Sequence, residues 1–140
     1  MLSTTANERA TLARMRNNSS KFLFGIRLAS VLLVICSSCS QSNARKYFNA
    51  GSKKSALGDY AGAISDFDKA IHIDPGYIKA YNNRGLSKDA LNDEAGAIAD
   101  YNKAIELNPQ YQFAYYNRAN AEQKLKDYAS AIRDADKAIA

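Results

Sequence analysis

The chain has 140 residues, 46% hydrophobic and 24% charged, with a formal net charge of +5. That length holds one domain with a modest core. The basic excess raises nucleic acid as a partner, yet Arg9, Arg14, Arg16, Lys21 and Arg27 oppose only Glu8 in the first 44 residues, and the remainder is nearly balanced. A phosphate-binding surface needs Lys and Arg clustered on one face, so no nucleic-acid partner is expected.

Residues 1–43 read as a targeting segment. A polar, basic stretch with Arg14, Arg16, Asn17, Asn18 and Lys21 precedes an apolar run from Phe22 to Cys36, interrupted by Arg27 and Ser30. As a helix that run reaches about 22 Å, short of the roughly 30 Å hydrocarbon core of a bilayer. Ser37, Ser38, Cys39 and Ser40 follow directly. A charged start, a short apolar centre and a small-residue end make a secretory signal, with a membrane anchor as the alternative. Either way the protein is expected to be membrane-associated or exported, on the periplasmic side of a bacterial envelope.

Cys36 and Cys39 are the only cysteines. A redox pair at this spacing needs a strand-to-helix setting in a βαβ unit, and a zinc site needs two further ligands where His72 is the sole histidine. Neither a metal nor a cofactor is expected. The placement resembles a bacterial lipoprotein signal, in which a small residue precedes the Cys that becomes lipidated. Ser38-Cys39-Ser40 fits that core and makes Cys39 the lipidation candidate, although Cys36 stands where such signals usually carry Leu. Cleavage after Ala44, at the small-x-small Ser42-Asn43-Ala44, and retention as an uncleaved anchor stay open beside it.

From Ala44 onward the chain repeats itself with a shift of 34 residues. Pro75 falls on Pro109, and Tyr47, Tyr81 and Tyr115 superimpose, as do Asn49, Asn83 and Asn117. Leu57, Leu91 and Leu125, then Asp59, Asp93 and Asp127, then Asp66, Asp100 and Asp134 follow, and each unit closes on Lys-Ala-Ile. A fixed period of this size marks a helical repeat array. In the middle unit Tyr81, Gly85, Lys88 and Leu91 fall on one face of a helix. Asn92-Asp93-Glu94 then reads as a short break. Ala97, Ile98, Tyr101, Ala104, Ile105 and Leu107 make a second helix, stopped at Asn108-Pro109 because the residue before a proline avoids helical geometry. Gly58-Asp59 turns the first unit through a left-handed cap, and Lys126-Asp127 makes the same turn in the third.

Each unit is thus expected to be an antiparallel helix pair. Gly85 and Ala97 leave room for close approach, with Tyr81 and Tyr101 filling the space beside them. Asp66, Asp100 and Asp134 precede Lys69, Lys103 and Lys137 by three residues, which predicts ion pairs on a solvated helix face. One pair cannot bury its own apolar face, so stability comes from stacking neighbours.

The pattern resembles the tetratricopeptide repeat. Its marks are an aromatic, a small residue four places on, a Tyr, a small residue, an Ala and a Pro. The middle unit offers Tyr81, Gly85, Ala97, Tyr101, Ala104 and Pro109; the first offers Tyr47, Gly51, Ala63, Phe67, Ala70 and Pro75. The resemblance covers residues 44–140 as repeats 44–77, 78–111 and 112–140, the last incomplete, and implies an all-α solenoid. It also implies that the first helix of each pair lines a concave face that binds a protein or peptide. Carried across position by position, that face presents Phe48 and Asn49 from the first repeat and Lys79, Asn82, Asn83 and Leu86 from the second. Phe113, Tyr116, Asn117 and Asn120 come from the third, and Arg45, Ser52, Asp89 and Lys124 lie alongside. Asparagine carries both donor and acceptor, so Asn49, Asn83 and Asn117 suit the backbone of an extended peptide. Chaperone-binding members clamp a terminal carboxylate with Lys and Asn, then Asn, then Lys and Arg. Only Asn83 fits that set; Phe48, Ser52, Phe113 and Asn117 do not.

Catalysis is not expected. No Ser or Cys has a plausible histidine-and-acid pair, and Gly51-Ser52-Lys53-Lys54 lacks the earlier Gly of a P-loop. The sequence therefore reads as a non-catalytic adaptor or scaffold. The alternative is a structural subunit of an envelope assembly, or a homo-oligomer, joined through the flank of the last pair, where Ile132 and Ile139 recur.

Overall fold

The computed structural model describes residues 41–139, which hold six helices and no strand. The apolar run Phe22 to Cys36, Cys39 and its neighbours lie outside the described residues. Helical residues 41–56 form α1, followed by α2 (Tyr60–Ile73), α3 (Ile78–Ala90), α4 (Glu94–Leu107), α5 (Gln112–Lys124) and α6 (Tyr128–Ile139). Consecutive helices pack on one another, so α3 touches α2 and α4, and α5 touches α4 and α6. The architecture is the expected all-α solenoid.

Two kinds of turn alternate, and both are written in short-range chemistry. Where the first helix of a pair ends, one residue takes the left-handed conformation: Gly58 (φ 81°), Asn92 (φ 62°) and Lys126 (φ 64°). An aspartate follows each. Asp59 and Asp93 cap the next helix by accepting from the Gly62 and Gly96 amides at 2.9 Å, and Asp127 accepts from the Ser130 amide at 3.2 Å. Such a cap satisfies one of the amides that a helix start leaves orphaned. Between pairs, Asp74 and Asn108 are extended, as the residue before a proline must be. Their side chains close the turn by accepting from the Gly76 and Gln110 amides. Glu94, expected in the break, is instead the first residue of α4, because Asp93 takes the cap.

The core is built from small residues and rings. Tyr81, Ala97, Tyr101, Ala104, Ala114 and Ala121 form its centre, with Ile71, Ile78, Ile98, Ile105 and Tyr111 packed against it. A Cβ on Gly85 would stand 2.6 Å from Tyr101 Cε1. The missing side chain thus admits a ring from the partner helix rather than that helix's backbone. Leu91 corrects the expected face. Tyr81 and Gly85 are buried, but Leu91 is the residue at which α3 ends and it is exposed, as are Leu57 and Leu125.

The largest correction concerns the aspartates. Asp66, Asp100 and Asp134 are buried, 5%, 4% and 7% exposed, not placed on a solvated face. Asp66 takes Lys54 at 2.7 Å and Lys69 at 3.0 Å. Asp100 takes Arg84 and Lys88, and Asp134 takes Arg118. Lys103 pairs with Glu106 instead, and no ion pair to Lys137 occurs among the described residues. The Lys54 ammonium holds the Asp66 carboxyl below its ordinary value. Arg84 reaches further, donating also to Asp68 of the preceding repeat at 2.6 Å, and Arg118 likewise donates to Asn102. Each arginine therefore ties its own repeat to the one before.

Candidate functional site

The first helices of the three pairs carry all ten expected site residues, but the surface they form is divided. Phe48, Asn49 and Lys79 line a depression of about 580 Å³ with Arg45, Asp74, Tyr77, Asn108 and Tyr111. Asn82, Asn83, Leu86, Phe113, Tyr116 and Asn117 line a second, of about 600 Å³, with Tyr111, Gln112, Ala138 and Ile139. Asn120 lies in a third, of about 300 Å³, against α6. Tyr111 borders the first two and Tyr116 the second and third, so the three adjoin.

The second depression has the most distinct chemistry. No charged residue lines it. Phe113 and Tyr116 are 68% and 60% exposed on its α5 side, and Leu86 is 42% exposed on its α3 side. The Tyr111 and Phe113 rings meet at a tilt of 56° with 5.7 Å between centroids, which braces one wall. Asp89 and Lys124, expected to project charge alongside, pair with each other across α3 and α5 at 2.8 Å.

The asparagines are wired differently from a ladder of independent contacts. Asn82, only 4% exposed, is the hub. Its Oδ1 accepts from Asn117 Nδ2 at 2.9 Å, and its Nδ2 donates to Asn83 Oδ1 at 3.2 Å. The network leaves Asn83 Nδ2 as donor and Asn117 Oδ1 as acceptor. That pair matches the C=O and N–H of a peptide backbone. Asn49 lies in the first depression, away from this network.

Phe48 is half-buried, its ring 4.9 Å from that of Tyr77 and 5.8 Å from that of Phe67, so it is largely committed to packing α1. Tyr111 and Gln112 were missed at the sequence level. Tyr111 repeats Tyr77 at the 34-residue interval, which was the available signal; Gln112 had none. Among the described residues, no three His, Cys, Asp or Glu side chains are grouped to hold a metal ion, and no helix is long and apolar enough to cross a membrane. His72 is exposed.

Comparison with known proteins follows the same geometry. Family models described as tetratricopeptide repeat match residues 44–77, 78–111 and 100–133. Among solved structures, the first TPR of Spaghetti (RPAP3) bound to the HSP90 peptide SRMEEVD is 28% identical with a TM-score of 0.70, over 71% of this chain and 79% of that one. The TPR2B domain of yeast Sti1, in a complex with pHsp70, is 32% identical with a TM-score of 0.68, over 69% and 78%. MamA is 26% identical with a TM-score of 0.67, over 71% of this chain and 58% of its own. No curated protein matches the chain significantly.

Proposed function

This chain belongs to the tetratricopeptide repeat family, and from that premise we propose that it is a non-catalytic adaptor whose concave face takes an extended peptide segment of a partner protein. The observation that carries the reading is the uncharged depression between α3 and α5, with Phe113, Tyr116 and Leu86 exposed beside a ready donor and acceptor on Asn83 and Asn117. Neighbours of the same fold, one bound to an HSP90 peptide and one in a complex with pHsp70, support a protein segment as the ligand class. The lining itself argues for a different sequence preference. A depression without cations has nothing to repay the desolvation of a terminal carboxylate, whereas exposed rings gain by covering apolar side chains. The preferred segment is therefore uncharged and carries bulky apolar residues. The same reading holds the chain at a membrane, or exports it, through the apolar run Phe22 to Cys36, with Cys39 as the lipidation candidate.

Fluorescence anisotropy with the full-length protein tests the groove. Labelled uncharged peptides rich in Leu and aromatic residues should bind more tightly than SRMEEVD. Asn83→Ala should weaken the best of them about three- to tenfold, the usual cost of one neutral hydrogen bond. Tyr116→Ala should cost more, because aromatic anchors dominate interfaces. Lys103→Ala, on the outer helix, should leave affinity unchanged. Groove variants that keep their circular dichroism spectrum and bind with full affinity would overturn the reading.

A further inference from the structure

The repeat breaks its own pattern at one buried position. At the 34-residue interval Asn82 stands where the first repeat has Phe48 and the third has Tyr116. An amide in place of a ring gives up apolar contact, and a buried amide costs stability unless its polar atoms are paired. Asn82 is almost fully buried, and its oxygen and its nitrogen both have partners. Those partners are neither backbone groups nor helix ends. They are the side-chain amides of Asn83 and Asn117, which line the uncharged depression with it.

A primary amide accepts on one side and donates on the other. With Asn82 between them, one neighbour must use its nitrogen and the other its oxygen. Asn117 gives Nδ2 to Asn82 Oδ1 at 2.9 Å, and Asn83 Oδ1 receives Asn82 Nδ2 at 3.2 Å. Were all three amides to turn over together, the two neighbours would exchange roles. They would still face the depression with unlike groups, one donor and one acceptor.

We propose that Asn82 is a positioning residue: it holds Asn83 and Asn117 in opposite senses, so that the depression reads the N–H and C=O of a peptide main chain. Asn82 acts through its neighbours, and the role rests on the peptide-binding reading of this depression. It explains why the middle repeat carries an amide where the other two carry rings. A ring at position 82 could pack, but it could not fix the sense of either amide.

Nuclear magnetic resonance relaxation of side-chain amides in the full-length protein tests this without a ligand. The Asn83 and Asn117 amides should be rigid in the wild type and mobile in Asn82→Leu, a substitution of similar size. Asn49, in the first depression, should not change. The main-chain reading is tested by anisotropy with a labelled, end-blocked peptide alternating Ser with Leu and Phe. In a matching series each amide in turn is replaced by an ester, which removes one N–H. At one position the ester should weaken wild-type binding about three- to tenfold, but less than about twofold with Asn82→Leu. Asn82→Asp keeps the shape yet can only accept, so it turns both neighbours' nitrogens inward and aims two oxygens at the ligand. It should weaken binding more than Asn83→Ala does, and it carries the test if the Leu variant does not fold. No binding of the peptide to the wild type would end the groove reading and this role with it. Where the peptide binds, the role of Asn82 alone is overturned by amides that stay rigid in Asn82→Leu. An ester penalty that the variant keeps, or a smaller loss with Asn82→Asp than with Asn83→Ala, would overturn it too.

Discussion

Glu122 is the residue at which the third repeat departs from the charge logic of the other two. Lys54 and Lys88 occupy its position in the earlier repeats, and both pair with a buried aspartate. Glu122 instead faces Asp134, shares Arg118 with it at 3.9 Å, and has a buried Oε2 with no hydrogen-bond partner among the described residues. Burial, and then the charge of Asp134, raise its carboxyl above the ordinary 4.5. A raised carboxyl favours the fold while protonated and works against it once ionised, so the cost appears as pH rises through and above that range. Glu122→Gln should therefore stabilise the protein at pH 7 by about 1 kcal/mol, read as a Tm higher by about 4–8 °C. At pH 4 the two proteins should melt close together. Glu122→Lys should gain at least as much at pH 7, since it restores the pairing that Asp66 and Asp100 enjoy. Thermal melts at the two pH values decide the matter; a Glu122→Gln protein that melts lower at pH 7 would show that Arg118 already compensates the charge.

At the scale of the element, the three turns inside the helix pairs are the same structure made with different residues. Gly58 occupies the left-handed position without penalty, Asn92 occupies it tolerably, and Lys126 does so against the crowding of its own Cβ. The difference is largest just before α6, whose outer face is also the most exposed. Lys126→Gly should stabilise the protein by about 0.5 kcal/mol, the steric relief less the added freedom of glycine in the unfolded chain, or about 2–4 °C in Tm. Gly58→Ala should move Tm the other way. Differential scanning calorimetry of both variants checks the pair. Equal and opposite neglect, with neither moving, would mean that the caps at Asp59 and Asp127 alone set these turns.

The whole molecule divides its chemistry between its parts. Residues 44–139 form a stack that presents an uncharged depression between α3 and α5, while the basic excess and the long apolar run sit before residue 44. The proposed recognition surface and the apolar run before it are the basis for proposing an adaptor held at a membrane. Cell fractionation of the full-length protein should recover it with membranes, and deletion of Phe22 to Cys36 should release it. Acyl labelling should disappear with Cys39→Ala if lipidation is the attachment. Full-length protein found wholly in the soluble cytosolic fraction would end that reading.

The sequence by itself determined the period, the helix pairs and the character of the turns. It could do so because these depend on residues close in the chain: Asp93 caps through Gly96 three places on, and Asn108 is extended because Pro109 follows it. It also determined that position 85 is small, since Gly51, Gly85 and Ala119 recur at the 34-residue interval, but that the space admits a ring and not a backbone was decided by the packing. Only the tertiary structure decided where charge and amide groups go. Asp100 has Lys103 nearby on its own helix, yet takes Arg84, sixteen residues away, because packing α3 on α4 buries the carboxylate and brings the guanidinium to it. Asn82 is the hub of the asparagine network because Asn117, thirty-five residues on, crosses the repeat junction to reach it. The division of ten expected site residues among three depressions has the same origin. Local periodicity says which helix face a residue occupies, but the angle at which neighbouring pairs stack decides which faces close together and which stay open.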